Sequence, residues 1–169
     1  MSTTSSVLVG SQGKTVWVKV AGRGSFQNSP GVKEFVLKMI QRGHREFVVD
    51  LKACELMDST FMGTLAGVAL RLREIGQGHL RTVNVNERNA SLLENLGLDH
   101  LFEVNTGNSV DAPATLEAPS EKIDRADEKE NVLSAHEALV AADSANAVKF
   151  KDVIDYLRQE LGEDKTGDR

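Results

Sequence analysis

The feature that most constrains the fold of this chain is a nearly continuous apolar run, Phe-Val-Val-Asp-Leu, at residues 47–51. A strand with this composition is typical of a sheet that is covered on both faces, as parallel sheets are. We interpret residues 10–13 as the loop of a hairpin between two earlier strands. About five strands are expected in all, with residues 47–51 in the central one. The others are predicted from short apolar or alternating runs at residues 7–9, 16–20, 80–85 and 101–104.

Helical periodicity fills the intervals between these strands. We expect the first helix to begin with Ser29 as its N-cap and Pro30 at its first position. A second helix is predicted from about 59 to 75, and a third follows an Asn86 cap and stops at Gly97. The order β-β-α-β-α-β-α-β requires crossover connections. The predicted fold is therefore α/β, with a mixed or mostly parallel sheet and helices packed on it.

The composition changes abruptly after Val104. Residues 105–130 hold two of the three prolines, no aromatic residue and seven acidic against three basic side chains, which predicts a flexible acidic linker. Apolar periodicity returns at residues 131–162 and predicts a helical hairpin, followed by a disordered tail at residues 163–169. Residues 1–104 then form the main domain. The apolar face of the hairpin packs either on its neighbours in this chain or on a partner, which includes a second copy of the chain.

Composition and charge argue against several classes of protein. The 169 residues carry a formal net charge of -5, which divides into +2 for residues 1–104 and -7 for residues 105–169. A near-neutral domain without clustered basic residues, joined to an acidic tail, argues against a nucleic-acid partner. Its apolar runs fall short of the roughly 20 residues that span a bilayer, and its first residues lack the features of a signal peptide. We therefore predict a cytoplasmic protein that does not insert into a membrane.

Residues that could bind a cofactor or carry catalysis form no recognisable pattern. The four histidines show no metal-ligand spacing, so no metal site is predicted. Asp50, Glu55 and Asp58 surround the best serine, yet no histidine lies near them in sequence, and none can be assigned to that serine without a structure. No cofactor is predicted, and an enzyme is the weaker hypothesis.

One motif, Met-Asp-Ser-Thr-Phe-Met-Gly at residues 57–63, lies between the central strand and the second helix, after a short loop. Its simplest interpretation is capping, because Asp58 is a good N-cap whose carboxylate accepts a backbone N–H. Ser59 and Thr60 would then merely fill the first turn of the helix. The other interpretation is a phosphorylation switch at Ser59.

The residues that lead into this motif carry a family resemblance. Residues 50–60, Asp-Leu-Lys-Ala-Cys-Glu-Leu-Met-Asp-Ser-Thr, follow a valine-rich strand and a turn that contains Gly22. The stretch resembles the STAS domains of bacterial anti-sigma factor antagonists, and the resemblance covers about residues 7–104. It implies a STAS-like fold in which Ser59 is the serine that an anti-sigma kinase phosphorylates, Asp58 the preceding aspartate and Thr60 the neighbouring hydroxyl. Many members have Gly-Leu directly after the hydroxyl pair, where this chain has Phe61-Met62 and then Gly63.

The function that this resemblance implies is that of a regulatory protein-interaction module, not an enzyme. Unphosphorylated, it would sequester an anti-sigma factor serine kinase, and a serine phosphatase would restore this form after phosphorylation. A second hypothesis keeps the fold but makes the chain a regulatory subunit of a lipid or anion transport assembly, without a phosphorylation switch. The residues expected to contact the partner lie around Ser59: Met57, Asp58, Thr60, Phe61 and Met62.

Overall fold

The centre of the fold is a mixed β-sheet, seen in a computed structural model that describes residues 5–107, 110–119 and 125–166. Within these residues the sheet has five strands in the order β1-β2-β3-β4-β5. The first two strands are antiparallel, and every later pair of neighbours is parallel. The predicted α/β fold is therefore confirmed. The strands are β1 (Ser6–Gln12), β2 (Thr15–Gly24), β3 (Glu46–Met57), β4 (His79–Val83) and β5 (Glu103–Val104).

Two connections in the sheet are tighter than the sequence predicts. Residues 10–12 belong to β1 and pair with β2, so only Gly13 and Lys14 form the hairpin turn, with Gly13 at a φ of 61°. The central strand β3 continues beyond the apolar run and stays paired with β2 as far as Met57. The expected short loop before the second helix is therefore absent, and Asp58 alone joins β3 to the helix that begins at Ser59.

The helices follow the predicted order. The second helix spans the predicted residues, and Asn86 caps the third by accepting a hydrogen bond from the backbone N–H of Asn89. The predicted cap of the first helix is wrong by one residue, because Asn28 is the N-cap and Ser29 is already helical. The Ser29 hydroxyl instead donates to the carbonyl oxygen of Ser25. The helices are α1 (Ser29–Gln41), α2 (Ser59–Ile75), α3 (Glu87–Asn95), α4 (Arg125–Ala142) and α5 (Asn146–Thr166), with a 3-10 turn at Leu98–His100.

The sheet is covered on both faces, as the apolar run at residues 47–51 predicts. On one face, alternate residues of β2 and β3 such as Val18 and Val49 pack with the buried faces of α1 and α2 in the main core. On the other face, Trp17, Val48 and Val83 form a smaller cluster. This second cluster is covered by residues 110–119, which lie within the predicted linker.

Residues 110–119 are held to the sheet by hydrogen bonds as well as by apolar contact. The Asn84 side chain donates to the carbonyl oxygen of Val110 and accepts from its N–H, at 2.8 and 2.9 Å. Val9 and Glu117 form an antiparallel bridge. Val110, Ala112 and Leu116 pack on the smaller cluster. A segment with the composition of a linker therefore lies against the sheet, because a few apolar residues suffice where a preformed apolar sheet face receives them.

The C-terminal helices lie against the main domain. Leu139 of α4 is fully buried and belongs to the main core together with residues of α2. The apolar face of the hairpin therefore packs within this chain, which is the first of the two alternatives. The hairpin also begins earlier than predicted, at Arg125, and α5 extends to Thr166; of the predicted disordered tail, residues 167–169 lie outside the described residues. Within the described ranges, no helix combines the length and apolar composition needed to span a membrane.

Candidate functional site

The start of α2 is fixed by the carboxylate of Asp58. One carboxylate oxygen accepts from the backbone N–H of Phe61 at 2.8 Å, which is the N-cap bond that the sequence predicts. The other oxygen accepts from the backbone N–H of Phe26 at 2.9 Å. The Asp58 N–H in turn donates to the carbonyl oxygen of Gly24 at 2.8 Å. Asp58 therefore caps α2 and also holds the loop between β2 and α1 against it.

Ser59, the predicted switch residue, is half-buried and contacts a residue far away in sequence. Its hydroxyl oxygen lies 2.9 Å from Nε2 of His136 in α4. The other ring nitrogen, Nδ1, lies 2.7 Å from the carbonyl oxygen of Val132. A carbonyl oxygen can only accept, so Nδ1 carries the hydrogen, and in the neutral ring Nε2 is the acceptor. In that form of the ring, the Ser59 hydroxyl donates to Nε2 of His136.

One turn further along α2, the backbones of α2 and α4 come into close contact. A Cβ added at Gly63 would overlap the carbonyl oxygen of Ala135, so the approach of the two helices requires glycine at this position. At Gly67 the helices have diverged, and an added Cβ would lie 3.7 Å from the Cβ of Ala138, an ordinary van der Waals distance. Of these two positions, α4 therefore lies closer to α2 at Gly63, which is one turn from Ser59.

Polar contacts hold the hairpin to the domain on either side of this crossing. Lys33 of α1 donates to the Ser134 hydroxyl at 3.0 Å, and its burial lowers the pKa of its ammonium group, an effect that Glu130 partly opposes. At the far end, the buried Asn146 amide donates to the carbonyl oxygens of Leu96 and Leu139. The hairpin is therefore docked by specific contacts at several points.

Most of the predicted partner-contacting residues face inward. The side chains of Met57, Thr60, Phe61 and Met62 are all at most 5% exposed, and the three apolar ones belong to the main core. Within the motif at residues 57–63, only Asp58 and Ser59 are partly accessible. Burial of Met57 and Phe61 follows from the extension of β3 directly into α2, which turns the residues on both sides of Asp58 toward the sheet.

Two residues near the site carry no local sequence signal. His136 is separated from Ser59 by 77 positions, and only the docking of α4 brings them together. Phe26 is an exposed aromatic residue, with 46% of its surface accessible, whose backbone is bonded to Asp58. The parallel pairing of β2 with β3 could have suggested Phe26, because the carboxyl ends of both strands lie at one edge of the sheet.

The Ser59–His136 pair has the residue types of a nucleophile beside a base, but its surroundings do not resemble an active site. His136 is only 4% exposed, and its ring packs edge-on against Phe150 with the ring centroids 5.0 Å apart. A cavity of about 190 Å³ lies between α1, α2 and α4, yet neither Ser59 nor His136 lines it. Among the residues that the structure describes, no cluster of His, Cys, Asp and Glu could hold a metal ion. The pair is best described as a contact between two helices.

Comparison with known proteins identifies relatives of the main domain. The family model described as "Mlab, STAS domain" matches residues 7–103. An anti-sigma-B factor antagonist of Staphylococcus aureus is 33% identical over 100 residues, which cover 59% of this chain and 92% of that protein. Solved structures that share the fold include that of unphosphorylated SpoIIAA, an anti-sigma factor antagonist. Its TM-score is 0.53 at 16% identity, and the match covers 59% of this chain and 87% of that one. Another is an anti-sigma factor antagonist from Mycobacterium paratuberculosis, with a TM-score of 0.53 at 20% identity over 62% of this chain and 87% of that one. Helices α4 and α5 lie beyond the residues that the family model matches.

Proposed function

The chain belongs to the STAS domain family, and on that premise we propose that it is an anti-sigma factor antagonist controlled by phosphorylation of Ser59. The observation that carries the proposal is the position of Ser59 in the first turn of α2, directly after the Asp58 cap and partly accessible. The Staphylococcus relative, named as an anti-sigma-B factor antagonist, aligns over 92% of its own length and supports the class of function. The proposed partners are an anti-sigma factor serine kinase and a serine phosphatase.

A phosphate at this position would change the surface without unfolding the domain. It adds a charge of about -1.5 to -2 at the N-terminus of a helix, where backbone amides favour an anion. The Asp58 carboxylate is already engaged by two backbone N–H groups, so it has partners of its own. A partner packed over Ser59 would have to desolvate the phosphate, which weakens its binding.

The surface proposed to contact the partner includes only two residues of the motif at residues 57–63. The buried residues of the motif would hold the start of α2 against the core and would not contact the partner; they are Met57, Thr60, Phe61 and Met62. Direct contact is proposed for Asp58, Ser59 and the exposed ring of Phe26. Such a protein performs no chemistry of its own, because ATP and the phosphoryl-transfer machinery belong to the kinase.

The test is a phosphopeptide analysis of the protein from its own cells, with and without phosphatase treatment. We expect one removable phosphate on Ser59, and none there in the Ser59→Ala variant. The matched control is Ser91→Ala, which removes an exposed serine on α3 and should leave phosphorylation unchanged. Ser59→Ala should keep the kinase bound, and Ser59→Asp should weaken that binding.

A Ser59 that stays unmodified under several growth conditions, both in the natural chain and in variants that expose its hydroxyl, would contradict the proposal. If the protein then co-purified with the subunits of a membrane ATPase, the result would support the transport-assembly hypothesis instead. Turnover of a substrate that is abolished by Ser59→Ala would support an enzyme.

A further inference from the structure

We propose that the α4–α5 hairpin is an intramolecular competitor for the Ser59 surface. While docked, it excludes both the partner and the phosphorylation of Ser59, and a phosphate on Ser59 in turn disfavours docking. The inference deepens the function proposed above and rests on it. What it adds is a regulatory role for residues 125–166.

The first observation is that α4 already uses the atom that a kinase would modify. The Ser59 hydroxyl donates to Nε2 of His136, while Nδ1 of the same ring is held by the Val132 carbonyl. Phosphoryl transfer joins phosphorus to the Ser59 oxygen and removes its proton, so the oxygen must be open to the kinase active site. A buried imidazole at 2.9 Å occupies that approach, and the Val132 bond restrains the ring from turning away.

The second observation is the backbone contact beside Ser59. Gly63 lies against the Ala135 carbonyl so closely that no side chain fits between the two helices. A partner that covers the first turns of α2 would therefore have to displace α4. Because the hairpin belongs to the same chain, its effective concentration at α2 is high, and an external partner has to compete with it.

The third observation is charge. Among the side chains of α4 that the structure describes, three are acidic and one is basic, so a phosphate on Ser59 would face a helix of net negative charge. The His136 ring, whose Nε2 lies 2.9 Å from the Ser59 oxygen, also occupies space that the phosphate oxygens would need. Phosphorylation and docking should therefore oppose each other, and by linkage each weakens the other by the same factor.

The chain offers a matched pair of substitutions to test this, both in the full-length protein. Gly63→Ala places a methyl group on the Ala135 carbonyl and should force α4 away from Ser59. Gly67→Ala adds the same methyl group one turn later at an ordinary contact distance, and it has the same effect on helix propensity. Any difference between the two variants then reports the contact between α2 and α4.

Two quantities should be measured on both variants. The first is amide hydrogen exchange of α4, which should be about tenfold faster or more in Gly63→Ala than in Gly67→Ala, with exchange of β3 unchanged. The second is the phosphorylation of Ser59 in the native cells, with each variant replacing the natural chain. We expect the initial rate of Ser59 phosphorylation in Gly63→Ala to rise about fivefold or more.

Each outcome separates the competitor from the proposed function. Faster exchange of α4 with an unchanged phosphorylation rate would overturn the competitor and leave the switch intact. Unchanged exchange of α4 in Gly63→Ala would overturn the structural basis of the competition. If Ser59 carries no phosphate in any variant, even with α4 released, the proposed function fails and the competitor fails with it.

A second pair of variants keeps the test decisive if Gly63→Ala does not fold. His136→Ala removes the ring that occupies the approach to the Ser59 hydroxyl, together with its contact to Phe150. His100→Ala is its control, because the His100 side chain is 86% exposed. Faster phosphorylation of Ser59 in His136→Ala alone supports the competitor, and equal rates in both variants overturn it.

Discussion

Helices α2 and α4 meet at Ser59, but they are held in place in different ways. The start of α2 is held by residues next to it in the chain or at the end of a paired strand. Strand β3 leads directly into Asp58, whose carboxylate accepts hydrogen bonds from two backbone N–H groups. The position of α4 depends on contacts between residues far apart in sequence, such as Ser59 with His136. Capping and strand pairing make α2 part of the domain, whereas α4 could leave without breaking the sheet. We therefore call α2, together with the strand β3 that leads into it, the platform. Helix α4, which can detach from the platform, is called the cover.

The largest expected effect comes from truncating a buried leucine in each helix. Leu65 of α2 and Leu139 of α4 are both at most 1% exposed and belong to the same core. Leu65→Ala should lower the free energy of global unfolding by about 2–5 kcal/mol. Leu139→Ala should instead accelerate hydrogen exchange in α4 and leave that of β3 unchanged. Equal acceleration of both elements by Leu139→Ala would show that the hairpin and the domain unfold as one unit.

The next effect is expected at the turn between α4 and α5. Asn146 is buried, and its amide donates to the Leu96 and Leu139 carbonyl oxygens at 2.9 and 2.8 Å. Asn146→Ala leaves both acceptors without this donor and should weaken hairpin docking by about 1–3 kcal/mol. Hydrogen exchange measured by element should place the loss in α4 and α5. A loss spread over the whole sheet would contradict the separation of cover and platform.

A smaller effect is expected at the platform itself, from the cap of α2. Asp58→Ala removes both bonds of the carboxylate and should lower the free energy of unfolding by about 1–2 kcal/mol. Asp58→Asn retains one oxygen, which can still cap Phe61 but not accept from Phe26 as well, so its cost should be smaller. Urea unfolding of the three proteins gives this order directly. Equal losses in both variants would mean that the bond to Phe26 contributes nothing to stability.

The smallest expected effect is a pH dependence at Cys54 of β3. Burial raises the pKa of its thiol, and hydrogen bonds to the sulfur only partly oppose this. The folded state therefore favours the protonated thiol, so its contribution to stability is present below the unfolded pKa and declines as pH rises through the folded one. The stability difference between the natural chain and Cys54→Ala should change between about pH 7 and about pH 10. A difference that is constant over this range would contradict the assignment.

The platform could be predicted from sequence because its determinants are local. The apolar run at residues 47–51 identified the central strand, and Asp58 with the small residues that follow identified the start of α2. The continuation of β3 to Met57 was missed, because residues 52–56 mix polar and apolar side chains without the continuous pattern of a covered strand.

The positions of α4 and of residues 110–119 could not be predicted because their determinants are distant in sequence. Residues 110–119 have the composition of a linker, and only the apolar sheet face beneath them explains why they are ordered there. The contact between Ser59 and His136 spans 77 positions, and a histidine in a helical repeat carries no information about its partner. Burial of Met57 and Phe61 likewise follows from the continuation of β3 through Asp58 directly into α2.

Competition between the hairpin and a phosphate on Ser59 can be tested by comparing the full-length chain with serine and with phosphoserine at position 59. The quantity to measure is the amide hydrogen exchange of α4, with β3 as the internal reference. We expect phosphoserine to accelerate exchange in α4 by about tenfold or more and to leave β3 unchanged. Equal or slower exchange of α4 in the phosphoserine protein would show that the docked hairpin accommodates the phosphate, and would contradict the competition.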